Sequence, residues 1–544
     1  MKYTSILSQE KKDEIRAKIP FLIKELKAHR KKHKDKVSKR KIDLQDPAWV
    51  RVSPGPPNSG HRYRLCIGFK NVGCKWREND PLGLGCLICG YYAKTAFKDV
   101  GSEKIVDQFK AGFRAGCEET TGFNSIEFLN DGSFLNPEEF DQNTQAKLFD
   151  LVLRIPRVKR VLVESRPEYV NEQGIGFLLS CLRSDQLLEI GIGLETVDYF
   201  VREICINKGF TTEDFEKALD IISSIDAQYP GRLAIVVYLL VKPAFLSHKE
   251  CIIDIIASLK YLSSLNNKYP FGIVAKLEPA AIANGTVLSM LHKKQKSMFY
   301  YEPLNYWAVL EILAKAANEI GEGELKIRVG AREDMDDVVK SPAIYNEDGE
   351  TFHPFDFVIY DSIQKFNQHQ NYFRLFATIN NVYPLHNDSL LSDKKSSLMQ
   401  WLAANGIERS ASAEFIEVNA KSIGEQTKKQ ESKYDIEEME TCYGVLDILE
   451  GLCPETHVIK TSIDEAVTKG DREGLEKRIA KCFEQVSPKT VVRVNIIEMK
   501  IVGGYAEVFF DVTNLLRAEK ISLWSRFVVR KTEYTGAECY NSNS

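Results

Sequence analysis

Three cysteines with short spacings are the residues of this chain best suited to metal chemistry. Eleven residues separate Cys74 from Cys86, and two separate Cys86 from Cys89. A Cys-x-x-Cys turn places two thiols on one side of a tight loop, and a third can fold back to join them. Three thiolates suit a [4Fe–4S] cluster with one open iron, whereas structural zinc normally takes four ligands, and only Cys66 is another cysteine near by. The spacing therefore predicts a metal site and leaves the metal open.

Size and composition indicate an ordinary globular protein. The chain has 544 residues, of which 44% are hydrophobic and 27% charged, with a formal net charge of −3. This length predicts two or three domains. The sequence has no run of about 18 apolar residues, so we predict no membrane span. Its first residues lack the apolar core of a signal peptide. Twelve unevenly spaced cysteines predict reduced thiols rather than a disulfide framework, and hence a cytoplasmic protein with no membrane partner.

The N-terminal segment is strongly basic. Residues 24–41 contain ten Lys or Arg against two acids, and residues 9–41 have a helical pattern. Such a helix can neutralise nucleic-acid phosphates, or it can present a solvated face, and the sequence favours neither. We predict a basic helical extension over residues 1–58, ended by a linker at Ser53–Gly60.

An alternation of strands and helices follows over about 270 residues, with strands predicted at His61–Phe69, Ser125–Leu129, Arg160–Glu164, Leu188–Glu195, Leu233–Val241 and Phe271–Leu277. Helices are predicted at Ser102–Ala115, 143–154, Ile175–Leu182, Thr212–Ser223, Lys249–Leu262 and Tyr306–Glu319. Apolar strands separated by helices are typical of a parallel sheet with helical crossovers. Residues 59–325 are therefore predicted to form an α/β domain, a β/α barrel or partial barrel.

Polar residues follow several of these strands. In β/α barrels ligands bind at the C-terminal ends of the strands, so these residues should meet on one rim. They are the cysteine loop (residues 73–91), Gly132, Ser133, Glu164, Arg166, Glu195 and Lys242. Structural roles are the alternative: Gly132 could form only a turn, and Glu164 and Arg166 could form an ion pair. Lys208 and Lys242 could be solvated or structural.

The rest of the chain gives weaker signals. Residues 326–437 are predicted to be a connecting region, with a helix near 356–376 and a polar stretch at 409–437. Residues 438–544 are predicted to be a small α+β domain of unassigned role. Its elements are a helix at 464–484, a hairpin of strands 490–502 and 505–512 around Gly503–Gly504, and a third strand at 521–530.

Several motifs occur together in a characteristic order: Gly85–Tyr91, Asn130–Glu139, Glu164–Tyr169, Ile192–Thr196, Ile206–Thr211, Tyr238–Leu246, Leu277–Pro279 and Asn284–Thr286. This set resembles the radical S-adenosylmethionine (SAM) enzymes of the elongator-catalytic-subunit-like group, and most of all the archaeosine-biosynthesis radical SAM proteins. The resemblance covers about half the chain. It departs from the common Cys-x3-Cys-x2-Cys loop in its longer first gap, and it has Ile88 where an aromatic residue is usual.

The resemblance implies a partial TIM barrel of the radical SAM type, with a [4Fe–4S] cluster and SAM as cofactors. Cys74, Cys86 and Cys89 would hold the cluster. The residues implied to contact SAM are Gly132, Ser133, Glu164, Arg166, Glu195, Ile88 and Lys242. Catalytic residues beyond these are not implied.

The function implied by the resemblance is reductive cleavage of SAM to a 5′-deoxyadenosyl radical that modifies a nucleobase, a 7-deazaguanine, in tRNA. An electron donor such as ferredoxin or flavodoxin, and a separate transferase, are the expected protein partners. Two alternatives remain: a radical SAM enzyme acting on a peptide or small molecule, and a non-catalytic iron–sulfur or zinc-binding scaffold.

Overall fold

The computed structural model describes residues 5–38, 43–54, 63–119, 123–293, 299–304, 306–330, 354–376, 473–474, 476–477, 480, 492–502, 505–514 and 519–528. These fall into two compact units. The first comprises the described residues up to Gly330 together with Phe366–Tyr372, and the second comprises the others. Among the described residues, no helix is both long and apolar enough to cross a membrane.

The first unit is built on a curled, open sheet of eight described strands in sequential order, which confirms an α/β partial barrel. The first strand is antiparallel to the second, and all later neighbours are parallel. The strands are β1 Trp49–Pro54, β2 Tyr63–Phe69, β3 Phe123–Asn130, β4 Arg160–Glu164, β5 Leu187–Glu195, β6 Leu233–Val241, β7 Ile273–Pro279 and β8 Lys326–Val329.

Helices alternate with these strands as the apolar periodicity predicts. Among the described residues they are α1 Gln9–Ser38, α2 Trp76–Asn79, α3 Ser102–Glu119, α4 Gln142–Leu153, α5 Glu172–Ser180, α6 Thr212–Asp226, α7 His248–Asn266, α8 Val287–His292, α9 Tyr306–Glu319 and α10 Pro354–His369. Helix α6 begins at a threonine cap: Thr211 and Asp214 form a reciprocal capping box. A π-helical segment, Val201–Ile206, follows β5.

Two strands of the sheet were not predicted. Ser53 and Pro54, which the sequence assigns to a linker, end β1. A proline is tolerated there because β1 is an edge strand. At the other edge, β8 has four residues, too few for a period-2 pattern to stand out. The Asn367 and Gln370 amides bond the N–H and C=O groups of Val329 and Ile327 on β8, at 2.8–2.9 Å, and so cover this edge.

Helix α1 confirms the predicted N-terminal helix, and it packs on the sheet unit instead of standing apart. Its Ile15, Leu22 and Leu26 side chains are fully buried. The helix contacts α8 and the π-helical segment. One face of α1 therefore belongs to the core, while the lysines on its other face are exposed.

The second unit contains an antiparallel sheet of three described strands: β9 Val492–Val502, β10 Tyr505–Asn514 and β11 Glu519–Val528. Val502 pairs with Tyr505, which confirms the predicted hairpin. The third predicted strand is also confirmed, because β11 pairs with β10. Gly503–Gly504, the polar stretch 409–437 and most of the predicted helix 464–484 lie outside the described residues.

Candidate functional site

The cysteine loop follows the C-terminal end of β2 and is held from several sides. Asp80 accepts hydrogen bonds from the backbone N–H groups of Leu84 (3.1 Å) and Gly85 (2.9 Å). Leu87 bonds the Ile206 carbonyl at 2.8 Å and the Val287 N–H at 3.0 Å. The loop is therefore fixed to the end of the π-helical segment and to the first turn of α8.

The three thiols of this loop lie in one electrostatic neighbourhood, and all three are free and half-buried. Burial, followed by nearby Asp131, raises the pKa of Cys74 and of Cys89, the latter to about 12, and Cys86 raises both further. The Cys89 thiol donates to Asp131 at 3.7 Å. Among the described residues, no three His, Cys, Asp or Glu side chains are close enough to hold a metal ion, so ligation by these thiols would require the loop to tighten.

Cationic side chains surround these thiols. Arg166 lies near Cys74 and Cys86, while Arg30 and Arg77 lie near Cys89, and each guanidinium interacts favourably with the thiolate form. Arg77 also forms an ion pair with Asp131. Soft sulfur donors among fixed positive charges suit a metal centre that carries negative charge.

Arg30 comes from α1 and reaches into the cysteine loop. It donates to the carbonyls of Gly285 (3.1 Å), Leu84 (2.5 Å), Cys86 (3.2 Å) and Cys89 (3.1 Å), and its side chain is only 7% exposed. The guanidinium also lies over the Tyr92 ring, 4.6 Å from its centroid. One guanidinium thus fixes the carbonyls of two of the three predicted ligands.

The turn after β3 is joined to the cysteine loop by Glu139. This carboxylate accepts from the Ser133 N–H (2.5 Å) and from the Lys75 N–H (2.9 Å), next to Cys74. Burial raises the pKa of Glu139 to about 7. Gly132 has a φ of 146°, and a Cβ there would overlap the Glu139 carboxylate, so this position requires glycine.

Glu164, at the end of β4, borders a pocket beside the cysteine loop. The pocket's open space is about 360 Å³, including the part open to solvent, and Trp49, Gly68, Tyr91 and Asp131 also line it. Burial raises the pKa of Glu164 to about 7, while a hydrogen bond from Tyr238 favours the ionised form. Among the described ion pairs, none joins Glu164 to Arg166.

Arg166 instead pairs with Glu168 (2.5 Å) and donates to the Lys208 carbonyl (2.8 Å). Its guanidinium stacks on Trp76, 4.8 Å from the ring centroid. Ser133 Oγ accepts from the Arg166 N–H at 3.1 Å, which links the ends of β3 and β4. Arg166 is thus a positioned cation beside two of the predicted ligands.

Glu195 and Lys208 form a largely buried ion pair of 2.6 Å at the end of β5. Lys208 is also close enough to Cys86 to be affected by it, so the pair borders the cysteine loop. Glu195 has a φ of 68°, a strained left-handed conformation that is often found at functional sites. Lys208, expected to be solvated or structural, is one of the residues at the site.

Lys242 and Ile88 differ from the other predicted SAM contacts in their surroundings. Lys242 also has a left-handed φ, of 63°, but its amine donates to the Glu302 carbonyl and lies over the Tyr301 ring. Burial lowers its pKa to about 8. No described contact joins Lys242 to the cysteine loop. Ile88 lies half-buried within the loop. Their contacts with SAM, like those of the other predicted residues, stay predictions.

Sequence reasoning did not assign roles to several residues of this site, namely Arg30, Trp76, Arg77, Asp131, Glu139 and Lys208. Arg30 had a detectable signal, because it continues the apolar stripe of Ile15, Leu22 and Leu26 on one face of α1. Glu139 had none, since only the folded loops bring it to Lys75.

Comparisons with known proteins give a consistent result. No protein-family model matches the chain. It is 31% identical over 297 residues to the archaeosine synthase subunit beta of Methanosarcina acetivorans, covering 52% of this chain and 79% of that protein. A protein with the same name from Thermococcus kodakarensis is 28% identical over 250 residues (46% and 70%), and an uncharacterized protein of Methanocaldococcus jannaschii is 28% identical over 298 residues (54% and 74%).

Proposed function

Because the chain belongs to the family of archaeosine synthase subunit beta, we propose that it is a radical SAM enzyme that modifies a 7-deazaguanine base of tRNA during archaeosine formation. The observation that carries the proposal is the position of three free thiols, with three guanidiniums near them, at the C-terminal ends of the strands of a partial β/α barrel. Ligands bind at this end of such sheets.

Cys74, Cys86 and Cys89 would hold a [4Fe–4S] cluster, and their surroundings fit it. Three thiolates add negative charge to a half-buried site, and Arg30, Arg77 and Arg166 beside them offset part of it, since Arg77 and Arg166 also pair with Asp131 and Glu168. When bound, such a cluster supplies one electron for the reductive cleavage of SAM. The residues of this chain orient the loop and offset part of its charge.

Gly132, Ser133, Glu164, Arg166, Glu195, Ile88 and Lys242 are the proposed SAM contacts. The turn at Gly132 lets the backbone approach a ligand, because no Cβ projects from it. Arg166 carries a planar donor set suited to a carboxylate, and it lies over the Trp76 ring. Glu195, held by Lys208, offers a carboxylate oxygen to hydroxyl donors.

The exposed face of α1 supports tRNA as the proposed substrate. Lys24, Lys27, Lys31, Lys32 and Lys34 are exposed, while Arg30 on the same helix reaches the cysteine loop. Phosphate binding by these lysines would bring tRNA close to the predicted cofactor site. A ferredoxin- or flavodoxin-type electron donor, and a transferase that prepares the base, complete the proposal.

The test is anaerobic conversion of tRNA. The reconstituted chain would be incubated with SAM, dithionite and tRNA from an archaeosine-deficient strain that retains the precursor base, and nucleosides would be analysed by mass spectrometry. We expect conversion of the base with 5′-deoxyadenosine as co-product, and loss of both in Cys86→Ala. SAM cleavage without base conversion would favour a peptide or small-molecule substrate. The absence of both products would favour a non-catalytic scaffold.

A further inference from the structure

The inner face of the partial barrel formed by β1 to β8, called the half-barrel below, carries many charges. The strand register places these charged side chains on one face of the sheet: Arg64, Glu127, Arg160, Glu189, Lys276, Glu278 and Arg328. Apart from Glu278, these side chains are buried. The interior of a β/α barrel is more often filled by branched apolar side chains. A charged interior is expensive unless every charge finds a partner.

Nearly all of these charges do find a partner. Arg64 donates to both oxygens of the Glu127 carboxylate at 3.0 Å, and Arg160 reaches the same carboxylate at 3.3 Å. Arg160 also pairs with Glu189. Lys276 pairs with Glu278 at 2.5 Å. Three of the four interior cations named above are therefore neutralised by carboxylates.

Arg328 on β8 is the exception. Its side chain is 4% exposed, and no hydrogen bond or ion pair joins it to any residue that the structure describes. Burial, and then the neighbouring Arg64 guanidinium, lower its pKa to about 10. Arginine nevertheless stays protonated at neutral pH. The Nε of Arg328 is thus buried without an acceptor among the described residues, and Glu127 and Glu278 act on the guanidinium without bonding it.

Arg328 is connected to the pocket at the cysteine loop through Glu278 and Tyr238. Both lie within electrostatic range of Arg328. Burial raises the pKa of Tyr91, the negative charge of Glu278 raises it further, and Tyr238 donates a hydrogen bond to Glu164. Both Tyr91 and Glu164 line the pocket. Glycine at position 191 makes room for the Tyr238 ring. By strand register, Glu164 and Arg328 also lie on the same face of the sheet, so the pocket and Arg328 share the interior of the half-barrel.

We propose that the interior of the half-barrel binds an oxyanion, a carboxylate or a phosphate group, through the guanidinium of Arg328. The planar fork of arginine matches either group with two parallel hydrogen bonds. A neutral or apolar ligand would leave the buried cation unsatisfied. This site goes beyond the proposed function, because it needs neither a cluster nor SAM.

Thermal unfolding of the full chain with small anions tests this site. Sodium phosphate and sodium acetate would be compared with sodium chloride at equal ionic strength, for the wild type, Arg328→Gln and Lys326→Gln. Lys326 lies on the same strand, is exposed, and loses the same charge in its variant. We expect at least one oxyanion to raise the wild-type Tm by about 3 °C or more above chloride. The gain should persist in Lys326→Gln and disappear in Arg328→Gln.

The pattern of the gain identifies the group that binds. A gain with phosphate alone indicates a phosphate group, and a gain with acetate alone indicates a carboxylate. In chloride, Arg328→Gln should unfold at or above the wild-type temperature, because it removes an unpaired buried charge. If that variant does not fold, Arg328→Lys keeps the charge but loses the fork and should lose most of the gain. No oxyanion-specific gain in the wild type, or an equal gain in the folded Arg328 variant, overturns the proposal.

Discussion

Replacing Arg30 with alanine should loosen the cysteine loop from a helix more than fifty residues away in sequence. Two of the four hydrogen bonds from Arg30, to the Gly285 and Leu84 carbonyls, are buried, so water cannot readily replace them. At about 1.5 kcal/mol for each charged hydrogen bond, the free energy of unfolding should fall by about 3 kcal/mol. The other two bonds, to Cys86 and Cys89, are partly accessible to solvent and should add less.

Urea unfolding measures the loss in the free energy of unfolding of the whole chain. Hydrogen exchange of peptides that cover residues 84–92 measures the loss of protection in the loop itself. Lys31→Ala is the matched control, because it removes the same charge from an exposed neighbour on α1 and should change stability by less than about 0.5 kcal/mol. Arg30→Lys should fall between the two, because an ammonium cannot reach four carbonyls at once. The reasoning is refuted if Arg30→Ala matches Lys31→Ala in both stability and exchange.

Three further predictions concern other parts of the sheet unit. Gly132→Ala should lower Tm markedly, because the added Cβ would overlap Glu139. Gly176→Ala is the control: it adds a Cβ in open space on a helix and should be neutral or stabilising. Similar Tm values for the two variants would contradict this reasoning. Burial raises the pKa of Asp254 to about 7, so ionisation is disfavoured in the fold and wild-type stability should fall as pH rises from about 4 to about 7. Asp254→Asn should flatten that pH dependence in urea unfolding, and an unchanged slope would refute the assignment. Lys208→Met should lower the free energy of unfolding by about 3 kcal/mol, because it leaves Glu195 unpaired. Adding Glu195→Gln should restore much of that loss. If the effects of the two substitutions simply add, the two residues do not interact.

The strands and helices that could be predicted are those with local signals. Strand β6, apolar along its length, and helix α9 were placed to the residue. The short edge strand β8 was missed because four residues cannot establish a period.

The candidate site divides in the same way. Cysteine spacing and strand ends identified the loop and most of the rim, because both are local features of the sequence. The Glu139 link and the Arg30 contacts were not predicted, since Arg30 bonds a carbonyl 255 positions away. The unpaired state of Arg328 also depends on all the strands around it, and no stretch of sequence encodes it.

The most direct test of the central claim is the metal content of the cysteine loop. The chain would be reconstituted anaerobically with iron and sulfide, desalted and analysed for iron, sulfide and zinc, beside Cys86→Ala and the control Cys181→Ala, which alters a half-buried thiol outside the loop. The account predicts about four irons per chain in the wild type and the control, and a large loss in Cys86→Ala. Zinc in place of iron, or equal iron in all three proteins, would contradict it.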